Sequence, residues 1–202
     1  MTLWIARKPL VLASKSPSRR RVLENAGISV DIHPADIDER AVEAAAGPSG
    51  PGEAAQLLAR AKALAVSAAL PGRLVLGADQ TLALGQKRFS KPAGRAGAQA
   101  QLQELSGHAH ELHSAFALAR DGAILFEHCS VARLTMRSLS AAAIEHYLDA
   151  AGEAVSLSVG AYQIEGVGIQ LFERIEGDYF TILGMPLLPL LDWLRRNGFI
   201  AA

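Results

Sequence analysis

The sequence has few of the features that mark secreted, membrane or nucleic-acid-binding proteins. Its single cysteine, Cys129, excludes an internal disulfide framework and is typical of a reducing cytoplasm. Its twenty basic and twenty acidic residues cancel, and only 5% of its residues are aromatic, so no basic surface or stacking platform for nucleic acid is expected. No apolar run approaches the ~18 residues that cross a bilayer, and the first nine residues lack the apolar core of a signal peptide. We therefore expect a cytoplasmic protein with no membrane or nucleic-acid partner.

The length and composition of the chain fit a single domain. Half of the 202 residues are hydrophobic, which is enough apolar surface for one full core. The sequence shows no internal repeat, no low-complexity tail and no linker long enough to separate domains. We expect residues 1–202 to form one domain, with enough chain for two lobes.

The most informative stretch is a short apolar segment that leads directly into a helix. Leu10–Leu12 is predicted as a buried strand, Ser16 as the N-cap of the helix and Pro17 as its first residue. Four cations lie at the start of this helix: Lys15, Arg19, Arg20 and Arg21. Cations are disfavoured there because the helix dipole places positive potential at that end. The pattern therefore indicates a bound anion, and a phosphate fits because free backbone N–H groups point outward at this end.

Helical spacing separates the arginines of this helix. Arg19 lies three and four residues before Val22 and Leu23, so it leans toward the buried face, whereas Arg20 can pair with Glu24 in solvent. Arg19 is therefore the better candidate for a phosphate ligand. The alternative is that all three arginines form a solvated face.

Carboxylates form a second group of candidate functional residues. Residues 36–39 make an acidic loop, and Asp79 follows the buried strand Leu74–Leu76 two residues after Gly77. A carboxylate at the end of a strand is well placed in a cleft, although aspartate is also a common turn residue. With the cations, these acids suit metal-assisted hydrolysis of a polyphosphate. The cations would neutralise phosphate oxygens, and an aspartate would orient or deprotonate the attacking water.

The rest of the chain contains predicted helices, strands and loops, together with two further lysines, Lys62 and Lys91. Lys62 lies on a helix predicted over 53–70, and its side chain can extend toward a site or simply reach water, of which water is the default expectation. Lys91 follows later in the chain. Small residues, proline and glycine predict a surface loop over 44–52. Asp121-Gly122 predicts a tight turn between strands 110–120 and 123–137.

Familiar motifs for other enzyme classes are missing from the sequence. Gly166-Val167-Gly168 lacks the third glycine of a dinucleotide-binding loop and precedes a predicted strand, which excludes the Rossmann interpretation. Neither a P-loop nor a G-x-S-x-G motif occurs. Cys129 lies inside a predicted strand with nothing that indicates an activated thiol.

A series of motifs in fixed order resembles the Maf family of nucleoside triphosphate pyrophosphatases. The first half of the chain contributes Ala13-Ser14-x-Ser16-Pro17-x-Arg19-Arg20, Asp36-x-Asp38-Glu39, Gly77-Ala78-Asp79, Lys91-Pro92 and Leu105-Ser106-Gly107. The second half contributes Gly160-Ala161-Tyr162, Glu165-Gly166-x-Gly168, Glu173 to Tyr179 and Leu183-Gly184-Met185-Pro186-Leu187. The match covers nearly the whole chain.

This resemblance implies an α/β fold with an elongated mixed β-sheet flanked by helices, and two lobes with a central cleft, similar to inosine triphosphatase and Ham1 proteins. It implies cleavage of a nucleoside triphosphate to the monophosphate and pyrophosphate with magnesium or manganese, by a homodimer. The family's catalytic residues fall on Asp79, Arg19 and Lys91, and the metal ligands on Asp79 and Asp38. The substrate-binding candidates are Ser14, Ser16, Ser18, Glu39, Lys62, Gln80 and Glu165.

The chain departs from the commonest family pattern at three positions. It has Ser18, Gln80 and Glu165 where members that act on dTTP and UTP carry Arg, Thr and Gln. The last two substitutions resemble the branch that acts on 7-methyl-GTP, although that branch tends to have a bulky aromatic residue at the position of Ser18. A carboxylate at Glu165 can accept both N1–H and N2–H of guanine, whereas the edge of uracil or thymine suits an amide. The alternative is that Glu165 is a solvated loop acid.

Three functional hypotheses follow from these residues together with what the family resemblance implies. The leading one is a pyrophosphatase that acts on a modified or non-standard nucleotide with a guanine-like base, with 7-methyl-GTP as one such substrate. The second is a dTTP/UTP pyrophosphatase of the same family. The third belongs to another class: a nucleotide-binding regulator of septum formation that does not turn its ligand over.

Overall fold

The computed structural model describes residues 3–47 and 50–201. Its seven strands form one sheet in the order β2-β1-β3-β5-β6-β7, and β4 pairs with β3. The strands are β1 (Leu10–Leu12), β2 (Val30–Ile32), β3 (Val75–Leu84), β4 (Lys87–Phe89), β5 (Ala109–Arg120), β6 (Ala123–Met136) and β7 (Phe172–Glu176). The sheet is mixed, because β1 is parallel to β2 and β3, whereas β4 and β7 are antiparallel to their neighbours.

Seven α-helices accompany the sheet within the described residues. They are α1 (Pro17–Asn25), α2 (Glu39–Ala46), α3 (Pro51–Ala69), α4 (Gly94–Leu105), α5 (Ala141–Ala151), α6 (Tyr179–Ile182) and α7 (Leu187–Arg196). Three short 3₁₀ turns lie between α5 and β7. None of the described helices is long and apolar enough to span a membrane. The predicted class, a mixed α/β sheet with helices, is confirmed.

The chain divides into two compact units. The first contains the residues up to Gln80, Ser114–Ser130 and the residues from Asp178 onward. Its core is built on β1, whose three residues are almost completely buried, because parallel strands flank it on both sides. Leu10 and Leu12 pack with apolar residues of α1, β3, β5 and α7, among them Leu23, Leu76, Phe116 and Leu190.

The second unit contains Thr81–His113 and Val131–Gly177. It holds α4 and α5, whose exposed surfaces are joined by an ion pair between Arg95 and Glu145, and the antiparallel pair of β6 and β7. His110 is buried there, and its Nε2 lies 2.7 Å from the hydroxyl of Tyr162. Burial lowers the pKa of His110 to about 4, so the ring is neutral at physiological pH.

Several local predictions are confirmed. Ser16 caps α1 and Pro17 begins it. Asp121 and Gly122 both have positive φ, 52° and 77°, as a two-residue hairpin turn between β5 and β6 requires. Arg20 and Glu24 form the expected surface ion pair at 2.7 Å.

Other local predictions are wrong. Asp79 lies inside β3 and not at the end of a strand, because the strand continues to Leu84. The acidic loop ends earlier than predicted, since Asp38 caps α2 and Glu39 is its first residue. The predicted loop 44–52 is shorter: α2 ends at Ala46 and α3 begins at Pro51, while residues 48–49 lie outside the described part of the chain.

Candidate active site

The connection between β1 and α1 holds two serines in a compact turn. The Oγ of Ser14 accepts a hydrogen bond from the backbone N–H of Ser16 at 3.3 Å. The Oγ of Ser16 in turn accepts from the backbone N–H of Arg19 at 3.4 Å, which caps the helix. The turn therefore fixes the hydroxyl of Ser14 beside the first turn of α1, and a hydroxyl that accepts still has one proton to donate.

Arg19 is held rigidly below this turn. Only 9% of the residue is exposed. Its Nε donates to the carbonyl of Gly184 at 2.9 Å, and its Nη1 donates to the Oγ of Ser14 at 3.1 Å and to the carbonyl of Ala78 at 2.8 Å. The prediction that Arg19 leans toward the buried face, and Arg20 toward solvent, is confirmed.

The charge of Arg19 is coupled to nearby carboxylates. Burial lowers the pKa of the guanidinium from its ordinary value, and the negative charges of Asp79 and Glu39 act in the opposite direction. Arginine nevertheless stays protonated in proteins, so the side chain is a fixed buried cation. A fixed cation beside a serine hydroxyl is a suitable receptor for an anion.

Lys62 contacts both carboxylates. Its Nζ lies 2.6 Å from Oδ1 of Asp79 and 2.7 Å from Oε1 of Glu39. Lys62 and Asp79 are nearly buried, with side chains 11% and 13% exposed, whereas Glu39 is half exposed. The default expectation that Lys62 reaches water is therefore wrong, because α3 packs so tightly on β3 that the lysine meets the strand instead.

The close packing of α3 on β3 depends on Gly77. A Cβ placed on this residue would lie 2.2 Å from the carbonyl oxygen of Ala59 and 2.5 Å from the backbone nitrogen of Ala63. Gly77 and Asp79 are two residues apart on one strand, so they share a face. The helix that touches Gly77 therefore also carries Lys62 over the carboxylate of Asp79.

We expect Gly77→Ala to lower the free energy of unfolding by about 2–4 kcal/mol, because backbone atoms of α3 cannot move away cheaply from the added carbon. Chemical denaturation monitored by circular dichroism measures this change. Gly97→Ala is the matched control: its Cβ would make only an ordinary contact at 3.5 Å inside α4. The control should be neutral or stabilising, as is usual for a helical glycine. Equal stability of the two variants would contradict the argument.

Gln80 is the residue after Asp79, and its amide is engaged by the protein itself. Its Nε2 lies within 3.1 Å of the Oγ of Ser114 and of the carbonyls of Thr181 and Ile182. Its Oε1 lies near Gly184: a Cβ added to that glycine would be 3.5 Å from Oε1. Any contact between Gln80 and a substrate base would therefore be made through Oε1.

Sequence reasoning gave no role to the segment that supports Arg19 and Gln80. The carbonyl of Gly184 accepts from Arg19, and the residue has φ of 84°, which favours glycine. Ser114 and Thr181 are fully buried, and the hydroxyl of Ser114 donates to the carbonyl of Thr181 at 2.7 Å. The sequence contained one signal for this support: Ser114 lies in the apolar stretch of β5, and a buried hydroxyl needs a hydrogen-bond partner elsewhere in the protein.

The remaining candidates are placed as follows. Asp38 uses Oδ1 to cap α2, accepting from the backbone N–H of Ala41 at 3.1 Å. Ser18 is the second residue of α1 and is half-buried. Lys91 and Glu165 belong to the second unit and are both exposed.

Glu165 lies in a tight turn whose shape depends on glycine. The N–H of Gly166 donates to the carbonyl of Gln163 at 3.2 Å. A Cβ on Gly168 would lie 2.5 Å from that same carbonyl oxygen, so only glycine fits there. The spaced glycines that superficially suggested a dinucleotide loop therefore shape the turn that carries Glu165.

The carboxylates of the first unit suit a hard divalent cation. Magnesium in enzymes is usually held by one or two carboxylates together with substrate phosphates. Asp79 and Glu39 offer two such groups, since their oxygens contact the same lysine nitrogen. The described residues contain no group of three or more metal-ligating side chains. The donor set therefore fits a cation that is completed by substrate oxygens.

A family model described as "Maf-like protein" matches residues 9–197, which is most of the chain. The chain belongs to the Maf family. Its Asp79, Arg19 and Lys62 thus form the candidate active site of a Maf protein.

Curated relatives of this Maf protein resemble it along their full length. A protein of Rhodopseudomonas palustris (strain BisB18) named nucleoside triphosphate pyrophosphatase is 59% identical, and the alignment covers 100% of both chains. A protein of Brucella abortus biovar 1 (strain 9-941) named 7-methyl-GTP pyrophosphatase is 57% identical, over 95% of this chain and 97% of its own. A solved HAM1 protein from Coxiella burnetii aligns with a TM-score of 0.43 at 19% identity, over 63% of this chain and 72% of its own.

Proposed function

We propose that this Maf protein is a nucleoside triphosphate pyrophosphatase that acts on a nucleotide with a guanine-like base, such as 7-methyl-GTP. It is a hydrolase of phosphoric anhydrides, as its curated relatives are. The observation that carries the proposal is the convergence of Arg19, Lys62, Asp79 and Glu39 in the first unit. This cluster combines two cations with two carboxylates, which suits the stabilisation of charge during phosphoanhydride hydrolysis.

Arg19 and Ser14 are positioned to bind the polyphosphate. The guanidinium is held by two carbonyl groups and by Ser14, so its orientation is set by the protein before a ligand arrives. A preorganised cation stabilises the charge that develops on phosphate oxygens without a further cost of reorganisation. Lys91, an exposed cation, would add a second contact to the phosphates.

Asp79 is the proposed base. Its Oδ1 is fixed by Lys62, which leaves Oδ2 to accept the proton of the attacking water. The water oxygen forms a bond to the α-phosphorus, the bond from this phosphorus to the bridging oxygen breaks, and pyrophosphate leaves with the electron pair. Lys62 acts as a positioning residue, since it holds the carboxylate in one orientation.

Magnesium or manganese would be held by Asp79 and Glu39, with Asp38 as a further candidate through its second oxygen. When bound, such a cation neutralises charge on the phosphates and on the leaving pyrophosphate. The hard oxygen ligands in the first unit fit either ion.

Glu165 is the proposed selector of the base. A carboxylate has acceptors only, so it can receive two N–H groups from the edge of guanine. Once a bound base excludes water from this exposed side chain, the carbonyl oxygens of uracil or thymine would face its carboxylate and leave acceptors unpaired, which costs about 1–3 kcal/mol. The 57% identical relative named 7-methyl-GTP pyrophosphatase supports a guanine-like base.

Pyrophosphate release from a panel of triphosphates tests the substrate. With magnesium and manganese in parallel, we expect 7-methyl-GTP or another guanine nucleotide to give a kcat/KM about tenfold or more above UTP and dTTP. Glu165→Gln should reduce that preference, and Glu173→Gln, an exposed acid of β7, is the matched control. A wild-type preference for UTP and dTTP would instead favour the dTTP/UTP pyrophosphatase of the same family.

The domain organisation, location and assembly of the protein are part of the proposal. The resemblance implies a single domain over residues 1–202 and a cytoplasmic homodimer. Size-exclusion chromatography with light scattering measures the assembly. A monomeric mass at micromolar concentration would reject the homodimer and leave the activity untouched.

A further inference from the structure

A cavity outside the candidate active site lies in the first unit, at the amino ends of β1 and β3. Its volume is about 250 Å³. Its lining includes the large apolar side chains of Trp4, Leu74 and Phe199, which we call the apolar floor. The chain around it is held in place by pairing of Trp4 with Ile200 and by a hydrogen bond from the N–H of Ile5 to the carbonyl of Phe199 at 3.0 Å.

The side chains that line this cavity carry charge of one sign. Arg7, Lys8 and Arg120 are among the lining residues, which include no carboxylate. The guanidinium of Arg120 lies over the ring of Phe199, 5.6 Å from its centroid, and its Nε is buried without a hydrogen bond to any described residue. The nearest acid along the chain, Asp121, uses Oδ1 to accept from the backbone N–H of Gly72.

This concentration of cations contrasts with the protein as a whole, whose formal net charge is zero. Three positive charges beside an apolar floor produce a local field that attracts an anion. Two of the three are guanidinium groups, whose planar forks match the oxygens of a phosphate. A cavity below the usual ~300–1,000 Å³ of ligand pockets admits only a small ligand.

The cavity is separate from the candidate active site. Leu74 lines the cavity just before β3 begins, and Asp79 lies five residues farther along that strand. Five residues of extended strand span about 16 Å. Likewise, Pro9 precedes β1 on the side of the cavity, whereas Ser14 follows β1 on the side of the active site. One ligand of the size that the cavity admits cannot occupy both places.

We propose that this cavity binds a small phosphate monoester that carries one ring-sized apolar group. The ring packs on Trp4, Leu74 and Phe199, and the phosphate contacts Arg7, Lys8 and the outer nitrogens of Arg120. A phosphate monoester carries close to two negative charges at neutral pH, which suits three cations better than a carboxylate does. The cationic rim and the apolar floor together select a ligand with both parts.

Phenyl phosphate is the probe. Binding to the wild-type protein is measured by isothermal titration calorimetry at millimolar ligand, and its location by the two tryptophan indole N–H signals in ¹⁵N NMR spectra. We expect saturable binding that shifts the signal of Trp4, assigned with Trp4→Phe. The double variant Arg7→Gln/Lys8→Gln removes two exposed charges and should weaken binding about tenfold. The double variant Arg133→Gln/Arg137→Gln, with the same loss of charge from exposed positions of the second unit, should leave it unchanged.

Two further probes separate the parts of the ligand. Inorganic phosphate alone and benzyl alcohol alone should each bind more weakly than phenyl phosphate. The variant Arg19→Gln, which removes the phosphate ligand of the active site, should leave the shift of the Trp4 signal intact. The proposal is overturned if phenyl phosphate does not bind, if its binding survives the loss of Arg7 and Lys8, or if inorganic phosphate binds equally well. It is also overturned if binding disappears in Arg19→Gln while that variant remains folded.

Discussion

Asp79→Asn is expected to lower the rate of pyrophosphate release by about a thousandfold, the middle of the range for loss of a general base. The amide keeps the shape of the side chain and can still accept from Lys62 through Oδ1. It cannot take a proton from water, so the chemical step fails while the nucleotide still binds. Steady-state release of pyrophosphate and calorimetric titration with a non-hydrolysable analogue measure the two effects separately.

Asp192→Asn is the matched control for this change. Asp192 belongs to the same unit and pairs with Arg196 on the exposed surface of α7, so its loss should leave the rate within about twofold of wild type. The same experiment separates an enzyme from a nucleotide-binding regulator. A wild-type protein that binds nucleotide but releases no pyrophosphate would identify the regulator, and full activity of Asp79→Asn would remove the proposed base.

Arg19→Ala is expected to produce the largest combined loss of stability and activity. The substitution removes three hydrogen bonds and leaves the carbonyls of Ala78 and Gly184 without their donor in a buried region. Each unsatisfied buried acceptor costs about 1–3 kcal/mol, so we expect a decrease of about 3 kcal/mol in the free energy of unfolding. Activity should fall with it, because the polyphosphate loses its fixed cation.

The neighbouring Arg20→Ala provides the control, since it removes the same side chain one position later. Arg20 is 57% exposed and pairs with Glu24 at i,i+4, which is worth about 0.3–0.5 kcal/mol. Arg19→Lys retains the charge but not the fork that reaches Ser14, Ala78 and Gly184, so we expect partial recovery of stability without recovery of activity. If urea denaturation gives equal stabilities for the two alanine variants, Arg19 is not the central support of the site.

The comparison of Lys62 with Arg19 shows where pattern-based reasoning succeeds. The burial of Arg19 is predicted correctly because it depends on the period of one helix, in which Arg19 lies three and four residues before Val22 and Leu23. The position of Lys62 cannot be predicted in this way, because it depends on how closely α3 packs on β3, and the period of neither element sets that distance. The absence of a side chain at Gly77 allows this close approach, but the sequence does not say which element packs against that glycine.

The sequence by itself determined the family, the α/β class, and the capped helix that begins at Pro17. These follow from local signals: a serine cap, a proline at the first turn, an Asp-Gly turn and a series of motifs in fixed order. Only the tertiary structure decided that Asp79 lies inside a strand, that Lys62 contacts it together with Glu39, and that Gly184 holds Arg19. The physical reason is that such contacts join residues far apart in the chain, and their formation depends on packing distances that no local pattern encodes.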